Sequence, residues 1–231
     1  MSKYLYQLIA QGEHDHQDFK YCISDSKKIA RSLVAFANSG GGRLLIGVKD
    51  NGKIAGISSD EEFYMIESAA KIYSKPAIDF STRQWLTEGK TVLEIGVEPG
   101  EQKPYFAKNE NGKWLAYIRV KDENFLAHSV QIEAWKKQFS NKGVYFSYSD
   151  HERFLISYLQ QHQSVSLSKF MRITRLSRRK ASDILSTFLA IDILTIHTQP
   201  EGTFFALNEN VNHEELENFA DNSLREYWQQ P

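Results

Sequence analysis

Hydrophobic and polar positions follow two different periods along residues 1–140. Apolar residues recur every three or four positions in helical segments and every second position in strands. The pattern predicts helices over residues 3–12, 24–39, 60–73 and 130–139, and strands over residues 18–23, 43–48, 53–57, 91–99 and 113–121. Helices and strands mixed in this order are typical of an α+β (mixed α/β) domain.

The pattern changes after residue 150. Amphipathic helices are predicted over residues 151–162, 166–174 and 177–194, and two short strands follow around a Pro-Glu-Gly turn. Three helices and a hairpin in this order are typical of a small winged helix-turn-helix. We therefore divide the chain into a first domain (1–145), a winged helix-turn-helix (150–208) and an acidic C-terminal helix or tail (209–231).

Three glycines, Gly40 to Gly42, lie between a predicted helix and a predicted strand. A phosphate-binding loop has the opposite order, strand then helix, and a lysine after its last glycine. Here Val48 occupies the lysine position. The glycines are therefore interpreted as a left-handed helix cap before a central strand, and a nucleotide-binding role is the weaker alternative.

Composition narrows the class of protein only slightly. The 28 basic and 29 acidic residues nearly cancel, so total charge indicates no partner. A single cysteine, Cys22, rules out an internal disulfide and suits a reducing compartment; we expect it in the core. The sequence lacks a secretory signal and any apolar run as long as a membrane helix, which predicts a soluble cytoplasmic protein without a membrane partner.

Several motifs together resemble one known family. They are EHDHQDFK, AFANSGGGRLLIGVKDNGKIAGI, KPYF and YIRVKDENFLA. They resemble the Schlafen-type, AlbA-like domain family, whose members are classed as DNA-binding, over roughly residues 8–130. The resemblance implies a nucleic-acid-binding α/β domain, and family members are often fused to a helix-turn-helix.

In Schlafen-type nucleases, three carboxylates are implicated in metal-dependent RNA cleavage. The resemblance places them at Glu13, Asp18 and Asp50, with Asp18 standing where the family usually has glutamate. Clustered carboxylates suit Mg²⁺ or Mn²⁺, and Lys20 would lie on the same side of a strand as Asp18. The alternative is structural, because Asp50 is also the natural first residue of a DNG hairpin.

Residues 169–180 carry six positive charges and no negative one, whereas residues 209–231 hold six acids and one arginine. In a helix-turn-helix the second helix enters the major groove with its N-terminal residues leading. Arginine suits guanine edges and phosphates, and serine suits phosphates. The candidate nucleic-acid contacts of this segment are Lys169, Arg172, Arg175, Ser177, Arg178, Arg179 and Lys180. The alternative is a protein-interaction or dimerisation module.

The first domain adds Lys103, Tyr105, Arg119 and Lys121, in which basic and aromatic residues are interleaved on predicted strands. Such residues can stack on bases and hold a backbone, or form a half-buried sheet face.

We therefore expect a nucleic-acid-binding protein with a role resembling a transcription regulator. DNA is the favoured partner, and RNA stays open; paired half-sites would suit a homodimer. The alternatives are a metal-dependent endoribonuclease and a scaffold that binds protein partners or a nucleotide.

Overall fold

A computed structural model describes residues 2–57, 61–141, 143–145 and 148–211. The chain divides into two compact units, residues 1–127 and residues 128–231. No helix within the described residues is long and apolar enough to cross a membrane. The predicted acidic tail lies outside the described residues from residue 212 onward.

The first unit mixes helices with short strands. Its helices are α1 (Ser2–Gln11), α2 (Ser26–Asn38) and α3 (Glu61–Lys71). Its strands are β1 (Gln17–Lys20), β2 (Gly42–Ile46), β3 (Ser74–Lys75), β4 (Ser81–Thr87), β5 (Lys90–Val97), β6 (Phe106–Lys108), β7 (Trp114–Leu115), β8 (Tyr117–Val120) and β9 (Glu123–Leu126). The mixed composition confirms the predicted α+β class.

A four-stranded sheet in the order β1-β2-β5-β4 forms the framework of this unit. Strands β1 and β2 are parallel, and the other two pairings are antiparallel. Apolar side chains of β2 and β5 alternate between two clusters, one shared with α2 and α3 and the other with α1. Strand β2 is therefore the central strand that the sequence predicted.

The glycine run ends α2 and leads into β2. Ser39 donates its backbone N–H to the Ala35 and Phe36 carbonyls. Gly41 has φ +74° and donates its N–H to the same Phe36 carbonyl. A positive φ favours glycine at this position, but the C-cap residue itself is Ser39 with φ −99°, so the left-handed residue follows the helix cap by two positions and begins the entry into β2.

Three local predictions for the first unit are wrong. The segment 53–57 is not a strand. Within it only Ile54 forms a bridge, to Val48, because the N–H groups of Ala55 and Gly56 both donate to the Gly47 carbonyl instead of continuing a ladder. The predicted strand 113–121 is two strands, β7 and β8, which belong to different sheets. Cys22 is exposed rather than buried, because it lies beyond the end of β1.

The second unit contains helices first and a hairpin last. Its elements are α4 (Ser129–Gln138), α5 (Asp150–Gln161), α6 (Leu167–Thr174), α7 (Arg178–Ala190), β10 (Leu194–Gln199) and β11 (Gly202–Leu207). Helix α4, which we expected to close the first domain, packs in this unit instead, where Lys137 bonds to Asp183 and Thr187 of α7. Helices α5 to α7 and the hairpin follow the predicted order, while their function stays a prediction.

One buried side chain, Asn38, holds the end of α2 against two other segments of the first unit. Its Nδ2 donates to the carbonyls of Tyr105 and Tyr117, both at 2.9 Å. Its Oδ1 accepts the Tyr105 N–H at 2.8 Å. The amide thus satisfies backbone groups ahead of β6 and at the start of β8, where no strand partner does so.

Replacing Asn38 with alanine should destabilise the protein strongly. Buried backbone groups of Tyr105 and Tyr117 would lose their partners, so the free energy of unfolding should fall by about 3 kcal/mol. Urea unfolding of the full chain measures this. Asn109→Ala is the control, because the Asn109 side chain accepts one hydrogen bond in an exposed turn. Equal losses in the two variants would contradict the role of Asn38.

Candidate nucleic-acid interface

The predicted basic segment lies on α6, the following turn and the first turn of α7. Arg175 ends α6 with φ +57°, a left-handed conformation that reverses the chain toward α7. Ser177 caps α7, with its Oγ accepting the Lys180 N–H at 3.4 Å. The turn therefore brings the cations of α6 and α7 together. We call the seven residues the basic turn: Lys169, Arg172, Arg175, Ser177, Arg178, Arg179 and Lys180.

The cations of the basic turn are available to a partner. All are exposed except Lys169, which is half-buried. None of the six forms an ion pair with a carboxylate of the described residues within 4.0 Å. Burial lowers the pKa of His128, the N-cap of α4, and the positive charge of Arg178 lowers it further. Among the described residues, the cations of the basic turn are therefore left without a paired carboxylate.

Beyond its first turn, α7 is covered. Ala181, Leu185 and Phe188 lie in the core of the second unit. On another side, Lys137 of α4 donates to the Asp183 carboxylate at 2.7 Å and to Thr187 at 2.7 Å. The N-terminal turn of α7, the part that the sequence predicted to lead into a groove, carries three consecutive exposed cations, Arg178 to Lys180.

The candidate acids Glu13 and Asp18 come together with Lys20. Asp18 is buried on β1, and its Oδ2 lies 2.8 Å from the Lys20 Nζ. Glu13 accepts the Phe19 backbone N–H at 2.8 Å and shares a hydrogen bond with Asp18. This contact confines one proton between two carboxyl groups.

Of the two carboxyl groups, Glu13 is the one that holds the proton more tightly. Burial and the hydrogen bond to Asp18 raise the pKa of Glu13 to about 7. Burial alone would raise the pKa of Asp18 as well, but the hydrogen bond from Glu13 and the charges of Lys20 and Arg119 together lower it. Asp18 is therefore the ionised partner.

Asp18 has further partners that the sequence did not indicate. Arg119 Nη2 lies 3.4 Å from its Oδ1, and Ser32 Oγ donates to its Oδ2 at 3.3 Å. Asn124 Nδ2 donates to the Ser32 Oγ at 3.1 Å, and Asn124 Oδ1 accepts from Arg119 Nη1 at 3.3 Å. The sequence signal that could have indicated these partners was Ser32, a polar residue on the otherwise apolar face of α2.

The third acid, Asp50, does not join this group. It is exposed in the turn after Val48. In the parts of the chain that the structure describes, no three His, Cys, Asp or Glu side chains lie close enough to hold a metal ion. Both Asp18 oxygens already bind cationic or hydroxyl groups, so the donor set does not fit the three-carboxylate Mg²⁺ or Mn²⁺ site that the resemblance implied.

The four first-domain candidates do not form one surface. Arg119 is buried and donates to the His14 and Gln17 carbonyls, so it is a structural residue. Lys103 donates to the Ser39 carbonyl, and burial lowers its pKa. Tyr105 is half-buried through its contacts with Asn38. Lys121 alone of the four is exposed.

Comparison with known proteins identifies the family. Residues 13–128, half of the chain, match the sequence model of the family described as Schlafen, AlbA_2. The chain therefore belongs to this Schlafen AlbA-like family. Membership points to nucleic-acid binding. No curated protein matches the chain.

Two solved structures are similar to parts of the chain. The N-terminal domain of a RecG-related protein from Nitrosomonas europaea is 24% identical, with a TM-score of 0.39 over 51% of this chain and 86% of its own. The DIP2311 protein from Corynebacterium diphtheriae is 16% identical, with a TM-score of 0.42 over 84% of this chain and 34% of its own. Both TM-scores lie below 0.5.

The Glu13 carboxyl should make stability depend on pH. A carboxyl whose pKa is raised by folding stabilises the fold when protonated. This contribution is complete below pH about 4.5 and is lost as the pH rises through about 7. Glutamine keeps the hydrogen bonds and does not ionise, so wild type should lose stability relative to Glu13→Gln between about pH 5 and 8. Urea unfolding across this range measures the difference.

Glu101→Gln, which alters an exposed carboxylate, is the control for Glu13→Gln. Its stability should follow the wild-type pH curve. If Glu13→Gln also ran parallel to wild type, the proton would not lie on Glu13.

Proposed function

We propose that the protein binds nucleic acid, with duplex DNA as the favoured partner, through the basic turn of a winged helix-turn-helix in the second unit. The observation that carries this proposal is the cluster of exposed cations without carboxylate partners among the described residues. A contiguous basic surface at a helix N-terminus is the electrostatic pattern expected of a phosphate-binding face.

The order of elements supports the winged-helix assignment. Between α5 and α6, Val165 and Phe205 of β11 exchange two backbone hydrogen bonds, at 2.9 and 2.8 Å. This bridge adds a third short strand to the β10–β11 hairpin. Helix, short strand, two helices and a two-stranded wing is the order of a winged helix-turn-helix.

The covering of α7 by α4 favours contacts to phosphates. Because α4 contacts α7 at Asp183 and Thr187, the basic turn can follow a phosphate backbone without deep insertion of the helix into a groove. The N–H groups at the start of α7 add a favourable dipole for phosphate. A regulatory role in transcription further requires contacts to base edges, for which Arg178 and Arg179 are the candidates.

Removing two cations of the basic turn should weaken duplex binding and its dependence on salt. Each lost phosphate contact lowers the slope of log affinity against log salt by about 0.9, so Arg178→Gln/Arg179→Gln should lower it by about 2. Fluorescence anisotropy with a labelled duplex over about 50 to 200 mM salt measures the slope.

Arg153→Gln is the matched control, because Arg153 is an exposed arginine on α5 outside the basic turn. It should bind duplex with the wild-type slope. An unchanged slope in the double variant would exclude the basic turn as the contact surface. Binding that hardly responded to salt would instead indicate a protein-interaction scaffold.

A metal-dependent nuclease is the competing function, and one assay separates the two. We expect DNA duplex and structured RNA to stay intact after incubation with the protein in either Mn²⁺ or EDTA, because Asp50 does not join Glu13 and Asp18. Asp50→Ala should behave as wild type in the same gel. Cleavage that required both Mn²⁺ and Asp50 would make the protein a nuclease and assign substrate delivery to the basic turn.

A further inference from the structure

A polar hollow of about 460 Å³ opens in the first unit beside the glycine run. We call it the glycine hollow. Its walls are Gly40 to Arg43, the first residues of β4, the last residues of β5, and the side chains of Tyr4 and His16. Small-molecule sites usually have volumes of about 300–1,000 Å³, so the hollow is large enough for a mononucleotide.

One position in the sheet under the hollow, Gly96, has no side chain. Arg43, Gly96 and Ser81 lie opposite one another on β2, β5 and β4. A Cβ atom on Gly96 would lie 2.5 Å from the Ser81 Oγ. Across the three strands, the side chains of Arg43 and Ser81 therefore lie on either side of Gly96, which has none. These three residues lie on the face of the sheet that α1 covers only in part.

Two arginines supply positive charge to the hollow. Arg43 donates to the Tyr4 hydroxyl at 3.1 Å and lies 3.7 Å from a Glu94 oxygen. Arg83 is exposed and lies over the Trp85 ring, 5.3 Å from its centroid. Within the described residues, Arg83 has no carboxylate within 4.0 Å. Its guanidinium lies over the face of the ring and is accessible to a ligand.

An aromatic ring and a carboxylate complete the lining. Tyr4 is 42% exposed, with its ring 5.4 Å from that of Trp85, so it offers an apolar surface to a planar group. The Glu94 carboxylate already accepts from the Trp85 Nε1 at 2.8 Å. Glu98 is exposed and has no hydrogen bond to another described residue. It can therefore accept from a hydroxyl or an amino group.

His16 closes the wall beside the glycines. Its Nδ1 lies 3.0 Å from the Gly41 carbonyl, and because a carbonyl only accepts, Nδ1 carries the hydrogen. The Nε2 atom remains for a further hydrogen bond. A Cβ atom on Gly40 would lie 2.6 Å from the His16 ring, so glycine at this position lets the ring pack here.

We propose that the glycine hollow binds a nucleoside phosphate. Its phosphate would bind between Arg83 and Arg43, its base would lie against Tyr4, and Glu98 would accept from a ribose hydroxyl or a base amino group. Two arginines and two glutamates make the lining nearly neutral, which suits a ligand with both an anion and hydrogen-bond donors better than a bare anion. The nucleotide can be free or part of a single strand. The proposal does not depend on the basic turn.

Calorimetric titration of the full chain with AMP, inorganic phosphate and a short oligo(dA) strand tests this site. Arg83→Gln should weaken AMP binding about tenfold, as loss of one charge-assisted hydrogen bond does. Gly96→Ala should also weaken AMP binding, because its methyl group would displace the Ser81 hydroxyl in the floor of the hollow. Arg31→Gln is the matched control, because Arg31 stacks on Tyr117 at 5.2 Å much as Arg83 stacks on Trp85.

The outcomes separate the ligand sources and the two proposals. Tighter binding of oligo(dA) than AMP would assign the hollow to a single strand, and binding of AMP alone would assign it to a free nucleotide. No saturable binding of either, equal affinity for phosphate and AMP, or an unaffected Arg83→Gln variant would overturn the proposal.

Arg178→Gln/Arg179→Gln should retain AMP binding, and Arg83→Gln should retain duplex binding, so failure of one site is distinguishable from failure of the other. If Gly96→Ala does not fold, the exposed Arg83→Gln remains decisive.

Discussion

The three hydrogen bonds of the buried Asn38 amide fix the arrangement of the first unit. They hold the last turn of α2 against the segments before β6 and at the start of β8. The end of α2 sets where Gly41 turns the chain into β2, and therefore where the glycine hollow opens. The start of β8 sets where Arg119 enters the interior. An amide can do this because it donates and accepts at once, without the desolvation cost of a charge.

Arg119 shows why a buried charge needs a complete set of partners. Its guanidinium contacts the Asp18 carboxylate and two backbone carbonyls, and Lys20 binds the other Asp18 oxygen. An ionised carboxylate in this position keeps the arginine satisfied. The neighbouring Glu13 accommodates the crowding by keeping its proton. Two of the three acids that resemble a metal site in the sequence, Glu13 and Asp18, therefore form internal contacts instead.

The sequence predicted those parts of the structure that depend on local period. Helices α1, α2 and α5 to α7 follow from regular apolar spacing, and the β10–β11 hairpin follows from its turn. Strand β4 was missed because its first four side chains are all exposed and do not alternate. The DNG turn was overinterpreted because a turn signal does not specify a strand partner. The position of α4 on α7 was also missed, since packing between distant amphipathic helices leaves no local pattern.

The candidate sites also differ in how far the sequence could predict them, because one is a continuous segment and the other joins distant segments. The basic turn is one continuous run of sequence, so its charge was visible, but the covering of α7 by α4 that limits its reach was not. The glycine hollow joins α1, β2, β4 and β5, and its key position, Gly96, is informative only beside Arg43 and Ser81. In the first unit, Lys20 and Arg119 bind the Asp18 carboxylate, whereas Arg83 in the glycine hollow has no carboxylate of the described residues within 4.0 Å. The near-neutral total charge therefore conceals two kinds of cation: those bound internally, which stabilise the fold, and those left at the surface, where a phosphate can bind.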